Sequence, residues 1–200
     1  MKYFLLILLF SLNIAIAEAP QSRPNIEIDN PYDPQTSKYH AGVCREYELN
    51  RNYASALKSC HQATVTPDWA KQSAETKSTI LYKYGGLLRK NKKYKEAVKV
   101  YSEAINNEKK ATKSDPVKLG RRYAELAGAF YELKKYKKGS ESLDKVLVNT
   151  SIFTHSEKNY LAMLCYIYST KLKDKKKAKS YLLKIEEMGF IAAEFKRYLY

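Results

Sequence analysis

Residues 94–105 read YKEAVKVYSEAI, and the spacing of their apolar and small side chains predicts an amphipathic helix. Counted from Tyr94, these side chains fall at offsets 0, 3, 4, 7, 10 and 11, which is one face of an α-helix. The same grid recurs, more weakly in the last copy, at Tyr53, Ala56, Leu57, Cys60 and Ala63; at Tyr136, Gly139, Leu143, Val146 and Leu147; and at Ala178, Leu182 and Ile185, with Lys175 in place of the tyrosine. The sequence therefore predicts four related helices, which begin 41, 42 and 39 residues apart.

A small residue lies twelve positions before the first small residue of the first three grids. The pairs are Cys44 with Ala56, Gly85 with Ala97, and Ala127 with Gly139. Two helices approach closely only where the side chains between them are small, so each pair predicts the crossing point of a helical hairpin. In the fourth copy Tyr166 precedes Ala178 and breaks this pattern. We therefore expect an all-α chain of about four helical hairpins.

These residues resemble the tetratricopeptide repeat family. Residues 94–98, with Tyr101 and Ala104, are similar to its second helix, and Leu81 and Tyr84 to its first. The resemblance covers roughly residues 37–187 and implies an α/α solenoid. The family period is about 34 residues, so longer first helices and loops are expected to absorb the excess. A helical-hairpin array of the Sel type is the alternative.

Capping signals predict where the helices begin and end. Residues 66–68 (Thr-Pro-Asp) and 114–116 (Ser-Asp-Pro) each combine a capping side chain with a proline suited to the first helical turn, so each predicts a helix start. Gly189 is expected to end the last repeat helix. Residues 190–199 then predict a short C-terminal capping helix, which would cover the apolar face of the terminal repeat.

The N-terminus has the pattern of a secretory signal peptide over residues 1–17. Lys2 precedes an apolar run at residues 4–17, which ends in Ala-Ile-Ala. The alternative is an uncleaved membrane anchor, but a span needs roughly 20 apolar residues. We therefore expect export across the inner membrane, with the periplasm as destination.

Residues 18–36 contain four of the six prolines. Proline lacks a backbone donor and moves its predecessor out of helical geometry, so this stretch is expected to be a flexible leader. A docking peptide is the alternative. The helical-repeat domain is then expected over residues 37–200.

The charge is strongly positive, with 36 Lys and Arg against 21 Asp and Glu, or +15 in total. The composition excludes collagen, low-complexity disorder and a multi-pass membrane protein. Lysines cluster at the predicted turns between the two helices of a hairpin, and Arg51 adds a weaker contribution. We call the following set the basic edge: Lys92, Lys93, Lys134, Lys135, Lys137, Lys138, Lys175, Lys176 and Lys177.

Two functions fit the basic edge. Lysine in tight turns keeps proteins soluble; alternatively, the edge binds an anionic membrane, lipopolysaccharide, nucleic acid or an acidic protein. Lysine is a point charge without bidentate geometry, so such binding would be weak and salt-sensitive. Nucleic acid is the less favoured partner, because no sequence-reading motif accompanies the lysines.

In the tetratricopeptide family a concave groove, lined by first helices, holds a partner peptide. By aligned position the resemblance implies a lining that we call the groove set: Lys38, Arg45, Tyr82, Arg89, Lys90, Arg121, Tyr131 and Tyr160. Aromatic side chains and arginines often anchor protein interfaces. The alternative for each residue is ordinary solvated surface.

Three cysteines in an exported chain predict one disulfide and one remaining thiol. Cys44 lies at a crossing position, where Ala56 of the second helix faces it. Cys60 lies one turn past Ala56, so we expect a Cys44–Cys60 disulfide. Cys165 is expected to be a buried thiol in an apolar helix. Metal or redox chemistry at Cys60 and His61 is the alternative, but adjacent helical residues point in different directions. We expect no metal and no cofactor.

The sequence contains no phosphate-binding loop, zinc-protease helix or nucleophile elbow. We therefore expect a non-enzymatic, exported module that binds a peptide or an envelope protein in its groove. A binder of anionic surfaces through the basic edge is the second hypothesis. An enzyme subunit is the third, and it would need a cleft of titratable groups that the sequence does not display.

Overall fold

A computed structural model describes residues 33–149 and 154–189, and this part of the chain is helical without strands. Its α-helices are α1 (Ser37–Leu49), α2 (Tyr53–Gln62), α3 (Ala74–Lys90), α4 (Tyr94–Lys110), α5 (Pro116–Glu132), α6 (Tyr136–Asn149), α7 (Thr154–Thr170) and α8 (Lys175–Glu187). Consecutive helices pack in pairs, α1 with α2 through α7 with α8, so the four predicted hairpins are confirmed. The predicted signal peptide, most of the leader and the closing helix at residues 190–199 lie outside the described residues.

The excess over the family period is absorbed in two ways. Helices α3, α4, α5 and α7 each have 17 residues. The first hairpin has shorter helices of 13 and 10 residues, and a longer connection with a 3₁₀ turn at Trp69–Lys71 follows it. The expectation that longer first helices and loops extend the repeat is therefore confirmed.

Each hairpin turns through a basic residue with left-handed backbone geometry. The φ angles are 57°, 60°, 56° and 57° at Arg51, Lys92, Lys134 and Lys173. In the second hairpin the N–H of Lys93 donates to the carbonyl of Leu88 at 2.8 Å, which closes the helix end as glycine-terminated helices do. A side chain in this region costs roughly 1–2 kcal/mol relative to glycine. A cation therefore stands at all four turns where glycine would be less strained.

The predicted crossing points are buried, and two of their glycines make room for tyrosine rings. Cys44, Ala56, Ala97 and Ala127 are at most 1% exposed. A Cβ added at Gly85 would lie 2.7 Å from the ring of Tyr101, and one at Gly139 would overlap the ring of Tyr131. The small residues thus allow close packing within each hairpin, as the spacing predicted.

A buried ion pair joins the second hairpin to the third. Arg122 of α5 lies 3.0 Å from Glu108 of α4, and their side chains are only 4% and 1% exposed. The Nε of Arg122 donates to Ser78 Oγ at 2.6 Å, and Ser78 Oγ lies 2.9 Å from Glu108 Oε2. Burial is the main reason that the pKa of Arg122 falls below its ordinary value. The sequence analysis missed this network.

The third and fourth hairpins are joined by a second polar cluster. Tyr181 of α8 donates to Asp144 of α6 at 2.5 Å, and its ring stacks on Tyr168 at 5.5 Å. Lys177 donates to the hydroxyl of Tyr168 at 2.7 Å and lies 3.4 Å from Asp144. Lys177 therefore holds two hairpins together and is not a simple surface charge of the basic edge.

One predicted helix start is wrong. Helix α3 begins at Ala74, and Ser73 caps it by accepting the N–H of Thr76, so the helix does not begin at residues 66–68. Thr66 and Asp68 instead hold the start of α1: Ser37 Oγ lies 2.6 Å from Thr66 Oγ1, and the N–H of Ser37 donates to Asp68 at 2.9 Å. The start at residues 114–116 is confirmed, with Asp115 as the cap and Pro116 as the first helical residue.

The cysteines behave as predicted. Cys44 and Cys60 form a disulfide with an S–S distance of 2.05 Å and a Cα–Cα distance of 5.2 Å. Cys165 is a free, fully buried thiol, and burial raises its pKa. The disulfide joins α1 to α2, the two shortest helices of the first three hairpins.

Candidate functional site

Part of the groove set lies on the first helices of consecutive hairpins. Tyr82 and Arg89 belong to α3, Arg121 to α5 and Tyr160 to α7. Helix α3 contacts α5 directly, and Tyr160 of α7 lies close enough to Glu125 and Arg121 for their charges to act on its hydroxyl, so these side chains extend across neighbouring repeats. We call the surface formed by Tyr82, Arg89, Arg121, Glu125 and Tyr160 the first-helix surface.

Glu125 organises this surface, and the sequence analysis missed it. Its carboxylate pairs with Arg89 at 2.8 Å and accepts the hydroxyl of Tyr101 at 3.2 Å. Side chains of Glu125 and Arg89 are 33% and 38% exposed, so both are reachable from solvent. Gly128 lies beside them, and a side chain there would overlap the guanidinium of Arg89. The arginine is therefore held in place by a carboxylate on one side and bare backbone on the other.

The tyrosines of the surface are hydrogen-bond donors at neutral pH. Burial first, and then the negative charge of Glu125, raise the pKa of the surface residues Tyr82 and Tyr160, and of the fully buried Tyr101, above the ordinary value. The ring of Tyr82 also lies 5.2 Å from the guanidinium carbon of the buried Arg122. The hydroxyls of Tyr82 and Tyr160 therefore stay protonated at neutral pH and can donate hydrogen bonds to a partner.

The remaining groove-set residues have different surroundings. Lys38 lies in an open cleft of about 280 Å³ between α1 and α3, which Glu75 also lines. Arg45 is exposed on α1. Lys90 pairs with Glu48 at 2.9 Å. Tyr131 lies over Gly139 with its hydroxyl 3.4 Å from Ser140 Oγ, so it packs within its own hairpin.

An exposed methionine extends the first-helix surface on α7. Met163 is 46% exposed and lies three residues after Tyr160, so both side chains are on the same side of the helix. The sequence signal that could have identified Met163 was its position one helical turn after Tyr160, a residue of the groove set. Arg121 and Met163 offer a cation and an apolar contact on neighbouring first helices.

Contacts between neighbouring hairpins lie next to the turns that carry the basic edge. Three contacts join neighbouring hairpin turns: Lys90 Nζ lies 2.9 Å from Glu48, the Arg89 guanidinium packs on Gly128, and Lys171 Nζ lies 5.9 Å from the Tyr136 ring. These contacts run from the first turn to the fourth. Each hairpin turn is therefore joined to the next by a contact between residues at or near the helix ends.

Most members of the basic edge point into solvent. Lys93 is near Glu96 at 3.8 Å, and Lys177 is held by Asp144 and Tyr168. The remaining members are exposed and make no ion pair within residues 33–149 and 154–189: Lys92, Lys134, Lys135, Lys137, Lys138, Lys175 and Lys176. Within the described residues, this edge therefore presents several exposed lysines that form no ion pair.

Metal ligands and membrane spans were also sought in the described part of the chain. There, no three His, Cys, Asp or Glu side chains come together in a way that could hold a metal ion. Among the same residues, no helix combines the length and apolar character that crossing a membrane requires.

Comparisons with known proteins bear on the fold. No model of a known protein family matches the chain, and no curated protein matches it by sequence. Among solved structures, the chain is similar to TPR-like repeats of a kinesin light chain from Podosopora anserina, with a TM-score of 0.60 and 16% identity over 74% of this chain and 72% of the other. It is also similar to MamA protein, with a TM-score of 0.60 and 13% identity over 82% and 85% of the two chains.

A third similar structure is the Cut9–Hcn1 hetero-tetramer of APC/C, with a TM-score of 0.51 and 15% identity. This chain aligns over 84% of its own length but only 37% of the matched one. At such identities the likeness concerns the fold, and its unit is the paired helix seen in all four hairpins. The chain has the all-α, TPR-like helical-repeat fold.

Proposed function

We propose that this chain is an exported, non-enzymatic protein-interaction module that binds a peptide or an envelope protein in the periplasm. The observation that carries the proposal is the first-helix surface, where two arginines, two tyrosines and Glu125 lie across three consecutive hairpins. Arginine and tyrosine are the side chains that most often dominate binding energy at protein interfaces. The TPR-like fold of the chain agrees with such a role.

The proposed surface is ordered before the partner arrives. Arg89 is held by Glu125 and by the bare backbone of Gly128, while Tyr101, which donates to Glu125, is fully buried. Side chains that are already fixed lose little conformational entropy on binding, so more of the contact energy becomes affinity. This pre-organisation favours recognition of a defined partner over loose adhesion.

The chemistry of the surface indicates the partner segment. Arg121 is exposed on α5, and Met163 is exposed on α7 beside the half-buried Tyr160. A peptide segment with an acidic side chain next to an apolar one would place a carboxylate at Arg121 and its apolar group against Met163. The excess of positive charge would speed the encounter with such a partner.

The test compares capture of partners from the envelope extract of the native host by two variants with the same change in charge. Arg121→Glu with Met163→Glu alters the first-helix surface, and Lys99→Glu with Lys58→Gln alters exposed positions on α4 and α2. We expect a protein captured by the unchanged chain to be retained by the control pair and lost from the surface pair. Equal capture by both variants, with unchanged helicity, would refute the assignment of the site.

Export has its own test. The mass of the protein recovered from the periplasmic fraction is expected to correspond to a chain that begins at Glu18. A full-length mass in that fraction, or the absence of the protein from it, would contradict the expected cleavage or destination.

A further inference from the structure

The hairpin turns that carry the basic edge share an unusual backbone feature. At each of the four hairpin turns the residue with positive φ is cationic: Arg51, Lys92, Lys134 and Lys173. Glycine is the usual residue in this conformation, because a side chain there clashes with the backbone. Solubility alone does not need charge at these positions, since exposed lysines are present elsewhere on the chain. The repeated placement points to a use for cations at this edge.

Aromatic and apolar side chains accompany these cations. Leu49, directly before the first turn, is 72% exposed, and Tyr53, directly after it, is 39% exposed. Lys90 Nζ lies 4.7 Å from the ring of Tyr53. At the other end, Lys171 Nζ lies 6.0 Å from the exposed ring of Tyr166. The edge therefore presents lysines interleaved with tyrosines and an exposed leucine.

We infer that the basic edge, together with Arg51 and Lys173 of the same turns, docks on a bilayer surface that contains anionic phospholipid. Clustered lysines are attracted to anionic headgroups, and tyrosine rings favour the boundary between headgroups and acyl chains. Leu49 is placed to enter that boundary. Because the lysines lie at hairpin turns that are joined to one another, several of them can contact a flat surface at the same time.

The same features fit a single-stranded nucleic acid less well. Proteins that bind single-stranded nucleic acid stack the bases on open aromatic faces, and arginine contributes to the stacking. Here Lys90 lies over the ring of Tyr53 and Lys171 over the ring of Tyr136. Lysine also predominates over arginine at the turns. This surface meets the first-helix surface at Arg89, near the end of α3, whereas Tyr82, Arg121 and Tyr160 lie farther along their helices from the hairpin turns.

The φ angles allow an experiment in which loss of charge does not weaken the fold. The edge variant carries Arg51→Gly, Lys92→Gly, Lys134→Gly and Lys173→Gly, and glycine suits all four positions. Its control, with the same net charge, carries Lys58→Gln, Lys99→Gln, Lys110→Gln and Lys113→Gln, which are exposed positions away from the hairpin turns. All proteins are purified as the expressing cells process them, and intact mass verifies that every variant has the same N-terminus.

Binding is measured by co-sedimentation with vesicles of phosphatidylcholine, with and without one third phosphatidylglycerol. Each membrane-proximal lysine contributes about fivefold in affinity. We therefore expect the edge variant to bind the anionic vesicles at least roughly 100-fold more weakly, and the control much less so. Binding of the unchanged chain should also weaken steeply between low and physiological salt.

Three results would overturn the inference. In the first, the unchanged chain shows no preference for anionic vesicles. In the second, the edge and control variants lose the same affinity for these vesicles. In the third, the unchanged chain binds a single-stranded oligonucleotide but not the vesicles. The thermal midpoint of the edge variant, expected to equal or exceed that of the unchanged chain, verifies that the fold is intact. Vesicle binding by Arg121→Glu with Met163→Glu should be nearly unchanged, which separates failure at this edge from failure of the proposed groove.

Discussion

The buried ion pair between Glu108 and Arg122 provides the sharpest test of how the hairpins are held together. Replacement of Arg122 by methionine removes the 3.0 Å ion pair and the 2.6 Å hydrogen bond to Ser78, and it leaves the carboxylate of Glu108 buried without its cation. Loss of one partner of a buried pair destabilises a protein by about 3–5 kcal/mol, because the remaining charge is no longer compensated. We expect a loss of that size for Arg122→Met.

The double variant Glu108→Met with Arg122→Met should recover most of this loss. Replacing both charges by apolar side chains of similar volume removes the desolvation penalty, and such changes are often neutral or stabilising. Ser78 keeps its carbonyl partner, the main-chain oxygen of Ala104 at 2.8 Å. The double variant is therefore expected within about 2 kcal/mol of the unchanged chain, far from the sum of the two single losses.

The assay is equilibrium urea unfolding followed by circular dichroism at neutral pH, with disulfide-intact protein. Arg89→Met is the matched control, because Arg89 also pairs with a glutamate but is 38% exposed, and exposed pairs contribute about 0–1 kcal/mol. A loss for Arg122→Met no larger than that for Arg89→Met would refute the reasoning. So would a double variant less stable than Arg122→Met alone. If Arg122→Met does not fold, folding of the double variant still decides the question.

Three further predictions concern packing, the disulfide and pH. Gly85→Ala should lower the free energy of unfolding by roughly 1–2 kcal/mol in urea unfolding, because the added methyl group meets the fully buried ring of Tyr101. Gly42→Ala, which has nothing within 4 Å of the added methyl group, should instead stabilise α1 by up to about 1 kcal/mol. A change of the same sign in both variants would contradict the packing argument. Reduction of the disulfide, whose cysteines are 16 residues apart, should lower the unfolding free energy by roughly 3 kcal/mol, and a Cys44→Ser, Cys60→Ser variant should not respond to reductant. Burial raises the pKa of Tyr131 to about 12, so folded protein retains a proton that unfolded protein releases above about pH 10. The free energy of unfolding should therefore fall between pH 10 and 12. If a Tyr131→Phe variant loses stability with pH as steeply as the unchanged chain, Tyr131 does not contribute to the loss.

The hairpins could be predicted because their signals are local. The grid that begins at Tyr94 depends on 3.6 residues per turn, and the glycines at the crossings depend only on the space that a second helix requires. The Cys44–Cys60 disulfide followed from the same geometry. The misplaced start of α3 is instructive: residues 66–68 carry genuine capping groups, but these satisfy the start of α1 through Ser37. A capping signal identifies a side chain that can cap, and the fold decides which helix receives it.

The polar connections between repeats could not be predicted in this way. Glu108, Arg122 and Ser78 belong to three different helices, and nothing in their spacing distinguishes them from surface residues of an amphipathic helix. Glu125 was missed for the same reason, since its partners Arg89 and Tyr101 come from the preceding hairpin. Such pairs depend on the offset between stacked hairpins.

The sequence by itself determined the helical class, the number and order of the hairpins, the disulfide and the location of the lysines in the turns, because each depends on periodicity or on short-range geometry. Only the tertiary structure decided which charges are buried in pairs, which tyrosines pack and which remain accessible, and that Lys177 joins two hairpins while its neighbours face solvent. The physical reason is that the desolvation and pairing of a polar group depend on everything around it, and most of those neighbours come from other repeats.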